Sequence, residues 1–228
     1  MGVISKKIGE GMDYNKTKTS DGIDSWETMM LLYNSALKEV GTKLDILNDE
    51  FQHIHQYNPI EHIKSRIKSP ESIVKKLKKR GLDSTIENMT EFVNDIAGIR
   101  VICSFTSDIY HIAEMIRNQN DIKVISVKDY IVSPKESGYK SYHMIVAVPI
   151  YLSDSVVNTK VEIQIRTVAM DFWASLEHKM NYKLSNQASD KIRHELYECA
   201  QMASLLDDKM LQLNEEIQDE IEKLEADN

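Results

Sequence analysis

Residues Lys160 to Thr167 read Lys-Val-Glu-Ile-Gln-Ile-Arg-Thr. In an extended strand this alternation puts Val161, Ile163 and Ile165 on one side and Glu162, Gln164 and Arg166 on the other. A carboxylate, an amide and a guanidinium in a row are poor core filler, because burying them unpaired is costly. A solvated sheet face would carry the same pattern, and a second stretch tips the balance. Between Ser133 and His143 the chain gathers Lys135, Glu136, Gly138 and Tyr139 into one loop ahead of a new strand, a composition suited to holding a ligand. A third stretch, Ile60 to Arg80, sets eight cations against two acids, a local +6 in a chain of formal net charge −8. A basic patch on an acidic protein suits a small polyanion held at one place, phosphates first, and argues against wholesale nucleic-acid binding.

The basic stretch also has a shape. Lys64, Arg66 and Lys68 share one face of a short strand, Glu61 to Lys68. Ser69 and Pro70 then read as N-cap and first residue of a helix that Gly81 ends. On that helix Ser72, Lys76 and Lys79 recur at i, i+4 and i+7, with Ile73, Val74 and Leu77 facing inward. Three backbone amides at the helix start, a hydroxyl and several cations would converge on one volume, a geometry for a polyphosphate; a lysine-rich solvated helix is the plainer alternative. Downstream, Asp95 stands just before a strand that is apolar apart from Arg100, and an arginine there needs an anionic or stacking partner. Parity alone puts Asp95 and Arg100 on opposite faces, so they share a site only if the strand start or Gly98 is irregular. His53, His55 and His62 cluster near a helix end; no cysteine or acid completes a recognisable metal set, so they read as polar helix-end residues, with a metal role as the minority alternative.

The elements that must position these groups come from periodicity. Residues 1–22 form a polar, flexible leader, with Asp21 or Ser20 to cap the first helix. Residues 23–57 hold that long helix, with Trp26, Met30, Tyr33, Leu37, Val40, Leu44, Leu47, Phe51 and Ile54 at three–four spacing, and Gly41 as a point of close helix approach. Residues 58–184 form the core: a helix from Thr85 to Val93, a strand from Asp95 to Phe105, a helix from Ser107 to Asn118, strands from Ile122 to Ile131 and Tyr139 to Pro149, the Glu162 strand, and a helix from Thr167 to Lys183. Residues 185–228 extend the chain as a helix, with Leu196, Ala200, Leu206, Met210, Leu213, Ile217, Ile221 and Leu224 in a stripe and nine acids against two lysines after Leu205. The fold class is α+β, a mixed sheet of about five strands with helices against it and long helices at both ends. No apolar run approaches the ~20 residues of a membrane helix and no secretory signal opens the chain. Cys103 and Cys199, in apolar surroundings, match neither zinc nor redox spacing, so the cytoplasm is the expected compartment.

Four motifs in order, Arg66-x-Lys68-Ser-x-x-Ser72-x-x-x-Lys76, Asp95-Ile-Ala-Gly-Ile-Arg100, Lys135-x-x-Gly138-Tyr139-x-Ser141-x-His143 and Glu162-Ile-Gln164-Ile-Arg166-Thr, resemble the (p)ppGpp synthetases of the RelA/SpoT type, specifically the small stand-alone alarmone synthetases of Gram-positive bacteria. The resemblance covers roughly residues 58–183. It implies a nucleotidyltransferase-like fold and transfer of the β,γ-pyrophosphate of ATP to the ribose 3′-hydroxyl of GDP or GTP. It also implies Mg²⁺ as cofactor, with Asp95 and Glu162 as catalytic and metal-binding residues and Glu162 activating the hydroxyl. On the ATP side it implies Arg66 and Arg100 at the adenine and Lys68, Ser72, Lys76 and Lys79 at the phosphates. On the acceptor side it implies Lys128, Lys135, Glu136, Tyr139 (stacking on guanine), His143, Gln164 and Asp171. Lys128 and Lys140 stand where relatives often carry arginine, and Asp171 where some carry asparagine. With no His-Asp dipeptide, the hydrolase domain of the long family members is expected to be missing, so the chain should synthesise and not degrade. By the same analogy the terminal helices build a homo-oligomer, a tetramer. A nucleotide-sensing or RNA-binding module on the same fold, without turnover, is the alternative; a scaffold built on the terminal helices would leave the Lys135 loop and the Glu162 strand unexplained.

Overall fold

The computed structural model describes residues 25–54, 57–183 and 188–226. The expected leader and His55 lie outside the described residues. The first helix, α1 (Trp26–Ile54), begins on Ser25, whose Oγ accepts from the Thr28 amide at 3.1 Å, so Ser25 rather than Asp21 or Ser20 is the cap. Then come β1 (Ile60–Ile67), α2 (Pro70–Lys79), α3 (Ile86–Phe92), β2 (Ala97–Cys103), α4 (Thr106–Arg117), β3 (Lys123–Asp129), β4 (Tyr142–Tyr151), β5 (Val156–Thr167), α5 (Val168–Lys183) and α6 (Asp190–Ala226). The strands form one five-stranded sheet in the order β1-β2-β5-β4-β3, antiparallel except for the central β2–β5 pair.

Period-two alternation divides the sheet. Ile99 and Val101 of β2, Met144 and Val146 of β4, and Val161, Ile163 and Ile165 of β5 are all buried on one face, in a core closed by α1 and α4. The helix face that meets the sheet is Met29, Leu32, Ala36, Val40 and Leu44, each at most 1% exposed. Trp26, Met30 and Leu37 of the expected stripe sit only half-buried at its shoulder, because a straight helix turned onto a sheet buries a broad apolar band rather than a heptad seam. Gly41 has no atom within 4 Å of where a Cβ would stand, so it marks open space and not a close approach. Ile163 lies at the centre of this core, fully buried. Its replacement by alanine should cost about 2–5 kcal/mol in a denaturant titration, and a loss near zero would contradict this packing.

Helix boundaries obey their caps. Ser69 Oγ accepts the Ser72 amide at 3.3 Å and Pro70 opens α2. At the other end Gly81 takes φ +73°, its amide donating to Lys78 O and that of Leu82 to Leu77 O, the paired bonds of a Schellman ending. β4 starts at Tyr142, later than the expected Tyr139. The left-handed Gly138 (φ +83°) and the bond from Lys135 N to Tyr139 O close a turn that keeps Tyr139 in the loop.

Candidate active site

The polar face of the sheet is the opposite one. Register aligns Lys64 with Arg100, Arg100 with Gln164, Gln164 with His143 and His143 with Lys128, one row across all five strands. Two residues along, Arg66 faces Gly98 and Gly98 faces Glu162. Side chains two apart share a face, so both rows point to the same side. A cavity of about 240 Å³ opens over them, lined by Arg66, Gly98, Arg100, Glu162 and Gln164 among others. Gly98 leaves the gap between Arg66 and Glu162 clear, since a Cβ there would meet only Arg66, at 3.9 Å or beyond.

Asp95 joins this site by standing outside the strand. It sits in the turn before β2, where strand parity does not apply, and its Oδ2 and Oδ1 accept from Lys68 Nζ at 2.8 Å and Lys76 Nζ at 2.7 Å. Burial alone would raise its pKa; the hydrogen bonds and charges of the two lysines outweigh burial and hold it below the usual aspartate value. Lys160 steadies the same turn, its Nζ reaching Thr90 O, Glu91 O and Asn94 Oδ1 at 3.1, 3.0 and 3.2 Å.

Glu162 belongs to a closed circuit of side chains. Gln164 Nε2 donates to Glu162 Oε2 at 2.9 Å, and Arg166 Nη2 donates to Gln164 Oε1 at 2.8 Å and to the Tyr139 hydroxyl at 2.5 Å. That hydroxyl lies 2.8 Å from His143 Nε2, and His143 Nδ1 lies 3.4 Å from Glu162 Oε1. With Arg166 donating to it, the hydroxyl turns its own proton to Nε2, which leaves the imidazole proton on Nδ1 facing the carboxylate. Burial pushes the Glu162 pKa up, but the hydrogen bonds from His143 and the Gln164 amide pull it further down, against some opposition from the Asp95 charge. Both carboxylates are therefore ionised at neutral pH and close enough to sense each other. Two hard oxygen donors facing a basic cleft suit a hard dication completed by phosphate oxygens. That Lys68 and Lys76 already hold Asp95 shows that this position calls for positive charge. No group of three or more His, Cys, Asp or Glu that could hold a metal occurs among the described residues, which do not include His55.

Arg100 finds its anionic partner in Asp171, 2.8 Å from Nη1, while its Nε is buried without one. The same Asp171 Oδ1 accepts from Arg166 Nη1 at 3.2 Å, so one carboxylate ties the Arg100 side of the cleft to the Tyr139 side. Tyr139 is half-buried rather than exposed, with Lys135 Nζ 4.4 Å and the Arg166 guanidinium 5.0 Å from its ring centre. Burial lowers the Lys135 pKa, and the charges of Arg166 and Lys128 act in the same direction.

Not every expected residue arrives. Glu136 and Lys79 are exposed, with no hydrogen bond or ion pair among the described residues. At the start of α2, Pro70 has no N–H, and the amides of Ser72 and Ile73 already bond to Ser69, so the expected cradle of three free amides is not formed; the Ser72 hydroxyl is tied to Ser69 as well. Cys199 is exposed, unlike the buried Cys103. Arg166, placed by alternation on the face of Glu162 and Gln164 but given no role in either subsite, is 4% exposed and makes four of the site's hydrogen bonds. The signal was present: it lies four residues after Glu162 in a strand, on the same face.

The model for the region found in RelA/SpoT proteins matches residues 65–187. The chain is 46% identical over 209 residues to the GTP pyrophosphokinase YwaC of Bacillus subtilis strain 168, covering 90% of this chain and all of that one. The crystal structure of small alarmone synthetase 1 from B. subtilis bound to its product pppGpp superposes with a TM-score of 0.79 at 36% identity, covering 85% of this chain and 98% of that one. The same synthetase bound to AMPCPP gives 0.73 at 34% identity, covering 85% and 98%.

Proposed function

The chain belongs to the RelA/SpoT family, and from that premise we propose that it is a GTP pyrophosphokinase, moving the β,γ-pyrophosphoryl group of ATP to the 3′-hydroxyl of GDP or GTP to give AMP and (p)ppGpp. The observation that carries the reading is Glu162: an ionised carboxylate set between a cation-lined cleft and a loop that offers a tyrosine ring and a lysine. Arg66 and Arg100 line the cleft as planar cations suited to an adenine ring, and Lys68 and Lys76, gathered on Asp95, are the cations for its phosphates. On the other side Tyr139 offers a ring to guanine, with Lys128, Lys135, His143 and Gln164 around it.

The new bond joins the 3′-oxygen to the β-phosphorus, and the bond between that phosphorus and the oxygen it shares with the α-phosphorus breaks, its electron pair leaving with AMP. Glu162 takes the proton from the 3′-hydroxyl. Its carboxylate is held in place by Gln164 and His143, so its orientation is set before substrate arrives. The lysines neutralise charge on the moving group. Mg²⁺ would be held by Asp95 and Glu162 and would supply further charge neutralisation on the phosphates.

The assay that tests the reading incubates purified protein with Mg²⁺, ATP and either GDP or GTP and resolves the nucleotides by anion exchange. AMP together with a more highly charged guanosine product is the expected result, and it ranks the acceptors as well. No AMP, with nucleotide binding intact, would shift the reading to a nucleotide sensor.

We further infer a homotetramer assembled through the terminal helices. From Met202 onward the apolar stripe of α6 is exposed, Leu205 by 71%, Leu206 by 56% and Ile217 by 53%, and beside it a groove of about 970 Å³ runs past Val168 and Phe172. Light scattering should give about four times the 26.2 kDa chain mass at micromolar concentration, and a monomer would overturn the inference. Among the described residues no helix is long and apolar enough to cross a membrane. With nucleotide triphosphates as substrates and two free thiols, the cytoplasm is the compartment we assign.

A further inference from the structure

The turn of the acceptor loop is closed by Gly138 N to Lys135 O at 2.8 Å and Lys135 N to Tyr139 O at 3.2 Å. The sheet holds one side of it, through Arg166 and His143 at the Tyr139 hydroxyl, and α6 holds the other. Gly138 is buried against that helix: a Cβ added there would stand 2.6 Å from Ala200 Cβ and 3.3 Å from the Tyr197 ring. Two residues on, Lys140 Nζ donates to Ser204 Oγ at 2.5 Å. Tyr139, between them, packs on a small apolar cluster of Trp173, Ala174, Ala200 and Ala203, apart from the main core. One turn further along α6, the buried Asp207 accepts from Thr167 Oγ1 at 2.6 Å. That hydroxyl also accepts the Met170 amide at 3.1 Å, which starts α5 and so aims Asp171 at Arg100 and Arg166.

Tyr197, Ala200, Ser204 and Asp207 recur at three–four–three spacing and so form one stripe of α6. We propose that Tyr197, Ala200 and Ser204 of this stripe are positioning residues for the guanine-nucleotide acceptor: they fix where Lys135 and Tyr139 stand and touch no ATP-side residue, whereas Asp207, tied through Thr167 and Asp171 to Arg100, serves both sides. Ala200 is the critical member, because only a methyl-sized side chain lets the backbone of Gly138 come this close. The four residues lie outside all four motifs of the catalytic core, and none of them reaches the cavity over Glu162. The inference rests on the reading of the Tyr139 loop as the acceptor side.

The test is steady-state kinetics on the full chain with Ala200→Leu, which forces Gly138 away from α6. Loss of the loop's position by about an ångström should raise the KM for GDP or GTP roughly 10- to 100-fold while the KM for ATP stays unchanged. Ser204→Ala removes the Lys140 contact without adding bulk and keeps the test open should the leucine variant not fold. It should shift the acceptor KM in the same direction by less. Equal changes in both KM values, or an unchanged acceptor KM in folded variants of an active enzyme, would overturn the inference alone. A wild-type protein that forms no AMP would instead remove the acceptor reading on which it rests.

Discussion

Glu162→Gln should bind both nucleotides and turn over roughly 10²- to 10⁴-fold more slowly than the parent, the range a positioned general base contributes. The substitution is nearly isosteric. A glutamine oxygen still accepts from Gln164, and a glutamine in this place keeps the circuit through Arg166, Tyr139 and His143 largely whole. What it loses is the ability to take a proton and the charge that faces Asp95. The loss should therefore fall on kcat, with KM for each substrate little changed. The pH profile gives a second check. Glu162 is held below the usual glutamate value of 4.5 and Asp95 below the usual aspartate value of 3.8. A depressed carboxylate pKa contributes stability above the unfolded value, lost as pH falls through the folded one. Neither group accordingly imposes an acid limb on activity near neutrality, and any loss through them begins only below the ordinary carboxylate range. Near-normal turnover in Glu162→Gln would remove Glu162 from the role, whereas an activity limb near neutral pH that vanishes with this substitution would contradict the lowered pKa of its carboxylate.

Asp95→Asn should be comparably damaging for a different reason. Both Asp95 oxygens are engaged by lysines, at 2.8 and 2.7 Å, so one of the two positive charges is offset before any substrate binds. An asparagine leaves Lys68 and Lys76 without their counter-charge and removes one of two oxygen donors for a dication. We expect kcat to fall at least about a hundredfold, the scale of losing one preorganised electrostatic contact. The Mg²⁺ concentration needed for half-maximal rate should rise as well. Without metal, a non-hydrolysable ATP analogue should bind the variant no more weakly than the parent, since the lysines are freed for its phosphates. An unaltered Mg²⁺ dependence in titration would mean that Asp95 does not hold the ion. The stability change should be modest, because Lys76 keeps a third of its side chain in water.

How much of this was legible in the chain depends on the range of the interaction. The Glu162 strand needed only its alternation, and the structure keeps the division, with Val161, Ile163 and Ile165 at 0% exposure and their neighbours on the other face. The α2 cap was equally local, written in Ser69, Pro70 and Gly81. Arg100 announced a partner but not which one; Asp171 lies 71 residues away and is brought in by the helix after β5. For Asp95, parity left one condition open, an irregular strand start, and the structure meets it: the backbone turns at Asp95 before β2 begins, which alternation alone does not reveal. The grip of α6 on Gly138 was not readable at all. Alanine and serine at helical spacing carry no signal of their own, and only the approach of the loop gives them meaning.

The central claim is that this cleft moves two phosphoryl groups together, and label transfer tests it most directly. Purified protein is incubated with Mg²⁺, GDP or GTP, and ATP labelled at the γ-phosphorus. Our account predicts that the label appears only in the more highly charged guanosine product, in equal amount with AMP and with no ADP formed. Label in inorganic phosphate, or in any product accompanied by ADP, would mean transfer of a single phosphoryl group or to water, and would contradict it.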